Sequence, residues 1–311
     1  MYETTSQNLT PSTLIAKLLQ QLDERYVFPD VAQEIAHVLQ HHLEAGSYDG
    51  ISDGKHLAAL ITEHLYTVAH DKHLRLFYNP EGVSPHVDEE DRYTEEMIEA
   101  LRRRRTSNYG LQKVEILEGN IGYFQLNAFI HPRIAGESMQ AAMTFLTYTD
   151  ALIIDLRNNT GGESLMVQFL CSYFFDILHE PPTQLTGCFD RRTNQLYQAW
   201  TLPYVPGQLY LAKPVYLLTS QRTFSGGEDF SYTLQQLKRA CVIGERTGGG
   251  AHMGHRYPIT EHFEALIPDL RSVNPISGTN WEGTGVQPDI PVEAEKAFDV
   301  AYQQAQAALN R

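Results

Sequence analysis

Cysteine is scarce in this chain. The 311 residues hold three, Cys171, Cys188 and Cys241, too few and too scattered for a disulfide framework or a zinc knuckle. Long apolar runs are missing as well, and no stretch approaches the roughly 18 apolar residues of a membrane helix, so no membrane partner is expected. Basic charge is short: 24 Lys and Arg against 38 Asp and Glu leave a net charge of −14. A chain of that charge repels phosphate backbones, and nucleic acid is not an expected partner. The basic run Arg102 to Arg105 follows the acidic stretch DEEDRYTEEMIEA and reads as part of a mixed-charge, solvated helix. The opening MYETTSQNLTPSTL has no basic start followed by an apolar core. No signal peptide is visible there, and the cytoplasm is the expectation for the chain as given.

What is present is an apolar content of 42%, with 22 Gly and 15 Pro, which suits one large or two modest domains with a sizeable core. Leu14, Leu18, Leu19 and Leu22 form one helical stripe, Val31, Ile35, Val38 and Leu39 a second, and Leu57, Leu60, Ile61 and Leu65 a third. Pro29 and the stretch from Gly46 to Gly54 punctuate them, as expected of a small helical domain over residues 1–75. Residues 76–112 read as a linker and mixed-charge helical segment. From 113 to 311 strands alternate with helices, which predicts an α/β core. Strands are expected at Ile121 to Leu126 and Leu152 to Leu156, with a helix from about Ile134 to Tyr148 between them. Leu165 to Phe175 reads as a further helix, Cys188 to Leu202 as edge strands or a hairpin, Arg256 to Ile267 as another hairpin, and Ala294 to Leu309 as a closing helix.

The segment from Lys213 to Ala251 carries the most chemistry. Val215 to Leu218 reads as a buried strand; Ser225, Gly226 and Gly227 follow, and from Glu228 the spacing becomes helical, with two acids in the first turn. A serine between a strand end and a helix N-terminus presents its hydroxyl in the open, beside free backbone N–H groups where an oxyanion would form. That suits a nucleophile. The same junction also arises when serine merely caps a helix.

Three further segments stand out. LIIDLRNNTGGE (152–163) is an apolar strand running into a turn whose glycines, Gly161 and Gly162, let the backbone approach a ligand; it is also ordinary turn composition. DKHLRL (71–76) contains His73, which alone reads as a surface or capping histidine. TNWEGTGVQPD (279–289) contains Glu282, which alone reads as a loop carboxylate.

Together, DLRNNTGG, TFSGGE, GERTGGGAH and WEGTGVQPDIPV resemble, in order and spacing, the carboxyl-terminal processing (tail-specific) protease superfamily of serine peptidases. With the N-terminal helices the resemblance covers essentially the whole chain. It implies a crotonase/Clp-protease-like ββα core preceded by a small helical bundle. Processing proteases of this superfamily use a Ser–Lys dyad; here the lysine position is Gly250, and no lysine lies near it. They also usually carry a PDZ domain, for which the gap from Leu76 to Lys113 is too short. The chain is therefore similar to the branch holding the tricorn-type proteases and the modules of interphotoreceptor retinoid-binding protein. That resemblance implies Ser225 as nucleophile, His73 as base and Glu282 as its orienting acid. The oxyanion would rest on the N–H of Gly226 with that of Gly161 or Gly162.

His70, His252 and His255 lie in or near the same motifs and compete with His73. The His252–His255 spacing alone is a weak metal signal without a third ligand motif. No metal or cofactor is expected, and the expected partner is a peptide or unfolded-protein substrate. A different function on the same scaffold, binding a retinoid or fatty acid without proteolysis, is the alternative. The sequence is silent on oligomeric state and cleavage preference.

Overall fold

Thr10 accepts the N–H of Thr13 at 3.2 Å, and Pro11 follows at the first helical position, so helix α1 (Pro11–Arg25) starts where cap and fixed proline φ favour it. Pro29 opens α2 (Pro29–Glu44), and Asp53 caps α3 (Gly54–Ala69). The three stripes bury Leu14, Leu18, Leu22, Ile35, Leu39, Ile61 and Leu65 in one cluster. The computed structural model describes residues 10–83 and 106–310; most of the mixed-charge segment read up to Arg105 lies outside them.

The described residues form two compact units. The first holds residues 10–83, 189–195 and 252–271. Besides the helices it contains strand β1 (Arg75–Tyr78), too short for its pattern to announce it. A four-residue strand needs partners, and distant chain supplies them: Leu76 pairs with Ala265 in an antiparallel ladder, and Ala265 in turn with Tyr257. Tyr257, Phe263, Ala265 and Ile267 join the helical leucines in the cluster.

The second unit comprises residues 106–188, 196–251 and 272–310. In chain order it contributes β2 (Leu111–Leu117), β3 (Ile121–Leu126), α4 (Pro132–Leu146), β4 (Ala151–Asp155) and α5 (Ser164–Ser172). The hairpin β5 (Gln184–Asp190) and β6 (Gln195–Trp200) follows, its tip counted with the first unit. Then come β7 (Val215–Thr219), α6 (Gly226–Gln236) and β8 (Cys241–Gly244). Strands β9 (His252–Pro258) and β10 (Phe263–Val273), which through Arg271 are counted with the first unit, form the second hairpin, and β11 (Ile290–Pro291) and α7 (Ala297–Leu309) close the chain.

Six strands of the second unit form a sheet in the order β11-β8-β7-β4-β3-β2, parallel except for the β2–β3 pair. Its central strands β4 and β7 are buried on both faces, which is why they read as unbroken apolar runs. Ile153, Tyr216, Leu218 and Ile243 meet Ala297, Ala301 and Ala305 of α7 on one face. Leu152, Ile154, Leu217 and Val242 cluster on the other with residues of α4, α5 and α6, among them Met143, Leu170 and Phe230. Because β4 and β7 are parallel neighbours, the turns after Asp155 and Thr219 leave the same edge of the sheet side by side. Ligands of parallel α/β sheets bind at such carboxyl edges. Among the described residues no helix is long and apolar enough to cross a membrane.

Candidate active site

The two turns are tied together residue by residue. Leu156 donates its N–H to Leu218 O at 2.9 Å, and Phe224 donates to Asn159 O at 3.0 Å. The Thr223 hydroxyl donates to Leu156 O at 2.8 Å and that of Ser220 to Arg157 O at 2.6 Å. Arg157 is itself clamped to Asp155, Nη2 to Oδ2 at 2.6 Å, and Asp155 also accepts the Tyr123 hydroxyl.

Ser225, half-buried, stands at the head of α6 with φ 51° and ψ −118°. A serine that only caps a helix sits in the β region. A residue with a Cβ pays about 1–3 kcal/mol to hold a sparsely populated conformation like this one, and the surroundings must impose it. Gly161 and Gly162, at φ 98° and 133°, supply the approach. A Cβ on Gly161 would lie 2.7 Å from the Ser225 Cβ and 2.9 Å from the Gly226 nitrogen; one on Gly226 would lie 3.1 Å from the Gly162 nitrogen. The Gly161 N–H is already given to the Asn159 side chain at 2.8 Å. Among the described residues no protein acceptor takes the amides of Gly162 and Gly226.

Glu228, fully buried, accepts four hydrogen bonds. Its Oε2 takes the N–H groups of Ser225 at 2.9 Å and Gly250 at 2.8 Å; its Oε1 takes the Gly249 N–H at 2.6 Å and the Thr247 hydroxyl at 2.5 Å. Burial pushes its pKa up, and the four bonds pull against that. Next in that loop, Ala251 donates its N–H to Oε2 of the distant Glu282 at 2.5 Å, while the Trp281 indole donates to Gly250 O at 2.9 Å. Ser225, Gly226, Gly161, Gly162 and Glu282 therefore all belong to the second unit.

His73 belongs to the first unit. Its N–H donates to Asp71 Oδ1 at 2.9 Å, and Asp71 Oδ2 bonds the His252 ring Nδ1 at 2.9 Å. Burial, opposed by the Asp71 carboxylate and aided by His252 and Arg75, pulls the His73 imidazole down to about 4. The competing histidines have other employment. His70 ends α3 in the left-handed region at φ 52°. His255 Nδ1 lies 2.8 Å from Asp269, which also accepts the Tyr257 hydroxyl. His252 and His255 thus address different carboxylates.

Residues 120–292 match peptidase family S41, and residues 8–113 match the N-terminal domain of peptidase S41 in eukaryotic IRBP. The chain belongs to peptidase family S41. That places it among the serine-type peptidases. A carboxy-terminal-processing protease of Bartonella bacilliformis is 26% identical over 201 residues, 61% of this chain and 44% of the relative, so the aligned part spans less than half of that protein. Among solved structures, the photosystem II D1 C-terminal processing protease aligns with a TM-score of 0.55 at 15% identity, over 92% of this chain and 94% of its own. The tricorn protease aligns with a TM-score of 0.59 at 14% identity, over 96% of this chain and 36% of its own. At such identities these two share the fold.

Reading the sequence of this S41 chain missed Glu228 as anything but a first-turn acid, although Ser225-Gly-Gly-Glu228 fits the S-x-x-E capping pattern. It also passed over Asn159, which holds Gly161, and Asp71, which bridges His73 and His252. A separate hollow of about 550 Å³ in the second unit is lined by Ile177, Pro181, Pro182, Trp200, Leu202 and Pro203.

Proposed function

We propose that this chain is a serine peptidase that hydrolyses peptide bonds through Ser225, His73 and Glu282. The observation that carries the reading is the left-handed Ser225, set between two glycine turns with the amides of Gly162 and Gly226 beside it. Ser225 Oγ attacks the peptide carbonyl as His73 takes its proton, and the carbonyl oxygen becomes an oxyanion on the Gly226 and Gly162 N–H groups. His73 returns the proton to the departing amine, leaving an acyl-enzyme. Water then attacks the acyl carbon, losing a proton to His73, and Ser225 is regenerated. Glu282 holds the imidazole and offsets its charge once protonated. Gly161, whose amide is engaged by Asn159, serves through the space it leaves beside Ser225. Substrates are peptides or unfolded tails, in keeping with the processing proteases among the relatives. A serine-reactive fluorophosphonate tests this: it should label the wild type, and Ser225→Ala or His73→Ala should abolish labelling. Full labelling of the His73 variant removes that residue from the mechanism.

The apolar hollow favours a second reading, carriage of a retinoid or fatty acid, since its volume is within the range of small-molecule sites. Tight fatty-acid binding in a fluorescence titration, with no turnover of a peptide library, would establish it instead.

A further inference from the structure

All four groups that meet the Glu228 carboxylate are donors: three backbone N–H groups and the Thr247 hydroxyl, which itself accepts the Val286 N–H at 2.7 Å. Four donors fit an acceptor-only group, the ionised carboxylate. A protonated acid or an amide would turn a hydrogen toward one of them. Among the described residues no cation pairs with Glu228; its charge rests on neutral dipoles and on the α6 N-terminus, three residues after the cap. Its two oxygens face two chain segments. Oε2 holds the Ser225 N–H on one side and the Gly250 N–H on the other, and Oε1 holds Gly249 and Thr247.

The consequence falls on the nucleophile. Ser225 keeps a φ of 51° that its own chain disfavours, so an outside contact must hold it. Its N–H is fixed by Glu228, and the Gly161 wall adjoins its Cβ. Gly250, where the resemblance places lysine in Ser–Lys enzymes, here contributes an amide to that hold. We infer that Glu228 is a positioning residue for the nucleophile: its ionised carboxylate locks the Ser225 turn to the 247–250 loop and so sets the aim of Oγ. This rests on the peptidase reading, through Ser225. A lock of this kind acts on the reacting geometry and leaves substrate affinity alone, so it divides kcat from KM.

The test compares Glu228→Gln, isosteric but uncharged, with Glu228→Asp, charged but too short to span both segments. Thermal unfolding identifies the folded variants; peptide turnover, the fluorophosphonate labelling rate and a crystal structure are then measured on each. The expected result is a drop of about 10²-fold or more in kcat and in labelling rate with KM within about threefold, and a Ser225 φ displaced from its wild-type value. A folded variant of either kind that keeps the wild-type labelling rate and Ser225 φ overturns the inference. Failure of the wild type to label overturns the peptidase reading instead, and the Ser225 φ of the variants still decides whether Glu228 holds the turn.

Discussion

Gly161 and Ser225 pack so closely that a methyl group on the glycine would sit 2.7 Å from the serine Cβ, inside any normal contact. The glycine is also at φ 98°, where an L side chain is strained. Gly161→Ala should therefore push Ser225 out of line as well as destabilise the fold, by about 2–4 kcal/mol. Fluorophosphonate labelling of the folded variant should fall about 10²-fold or more. Labelling at the wild-type rate would show that the nucleophile does not depend on this contact.

A histidine drawn down to about 4 stays neutral, and so able to accept a proton, well below the ordinary histidine range. The acid limb of kcat/KM should lie nearer pH 4 to 5 than pH 6.5, the ordinary histidine value. Between those values the unfolded chain binds more protons than the native one. The His73 contribution to stability is accordingly complete above about pH 6.5 and lost as the pH falls toward 4. Denaturant unfolding of His73→Asn across that window should show a weaker acid loss than the wild type; parallel curves would contradict the assignment.

Asp229, buried in α6, is pushed up to about 6 by burial, and its side-chain partner is the Thr233 hydroxyl at 3.4 Å. A raised carboxyl has the opposite sign. Its stabilising contribution is complete below pH 3.8 and disappears as the pH rises through about 6. Asp229→Asn should gain on the wild type by at most about 3 kcal/mol at pH 7, and the gain should vanish near pH 4. Urea titrations at the two pH values measure it, and a gain independent of pH would rule out titration as its source.

The stripe Ala297, Ala301 and Ala305 lets α7 lie directly on the sheet against Tyr216 and Leu218. Ala301→Leu should overfill that layer and cost about 1–3 kcal/mol, read as a lowered Tm. A Tm at or above that of the wild type would mean the layer has slack.

Short-range pattern carried much of the architecture. The strand at Ile121–Leu126 lies where its apolar run placed it, and the leucine stripes became α1 to α3 because a period of 3.6 needs no distant partner. The hairpins were less visible. Residues 256–267 were expected as one, yet the strands span His252–Pro258 and Phe263–Val273, since a register shift between Pro268 and Leu270 interrupts the alternation. The first hairpin begins at Gln184, four residues before the expected Cys188, because Gln184 to Gly187 alternates too weakly to mark a strand.

At the site, residue types alone identified a serine between glycines, a D-x-H histidine and an acid before G-V-x-P-D. Which of those glycine amides stay open, and why a serine occupies a conformation its own backbone disfavours, depend on contacts between segments far apart in the chain. Asn159 meets Phe224, Thr223 meets Leu156, and Glu228 meets Gly249 and Gly250. Local periodicity and turn chemistry settle the elements, because their energies come from neighbours in sequence. The conformation of Ser225 is set by bonds that exist only once β4 and β7 lie side by side and the 247–250 loop folds back over Glu228.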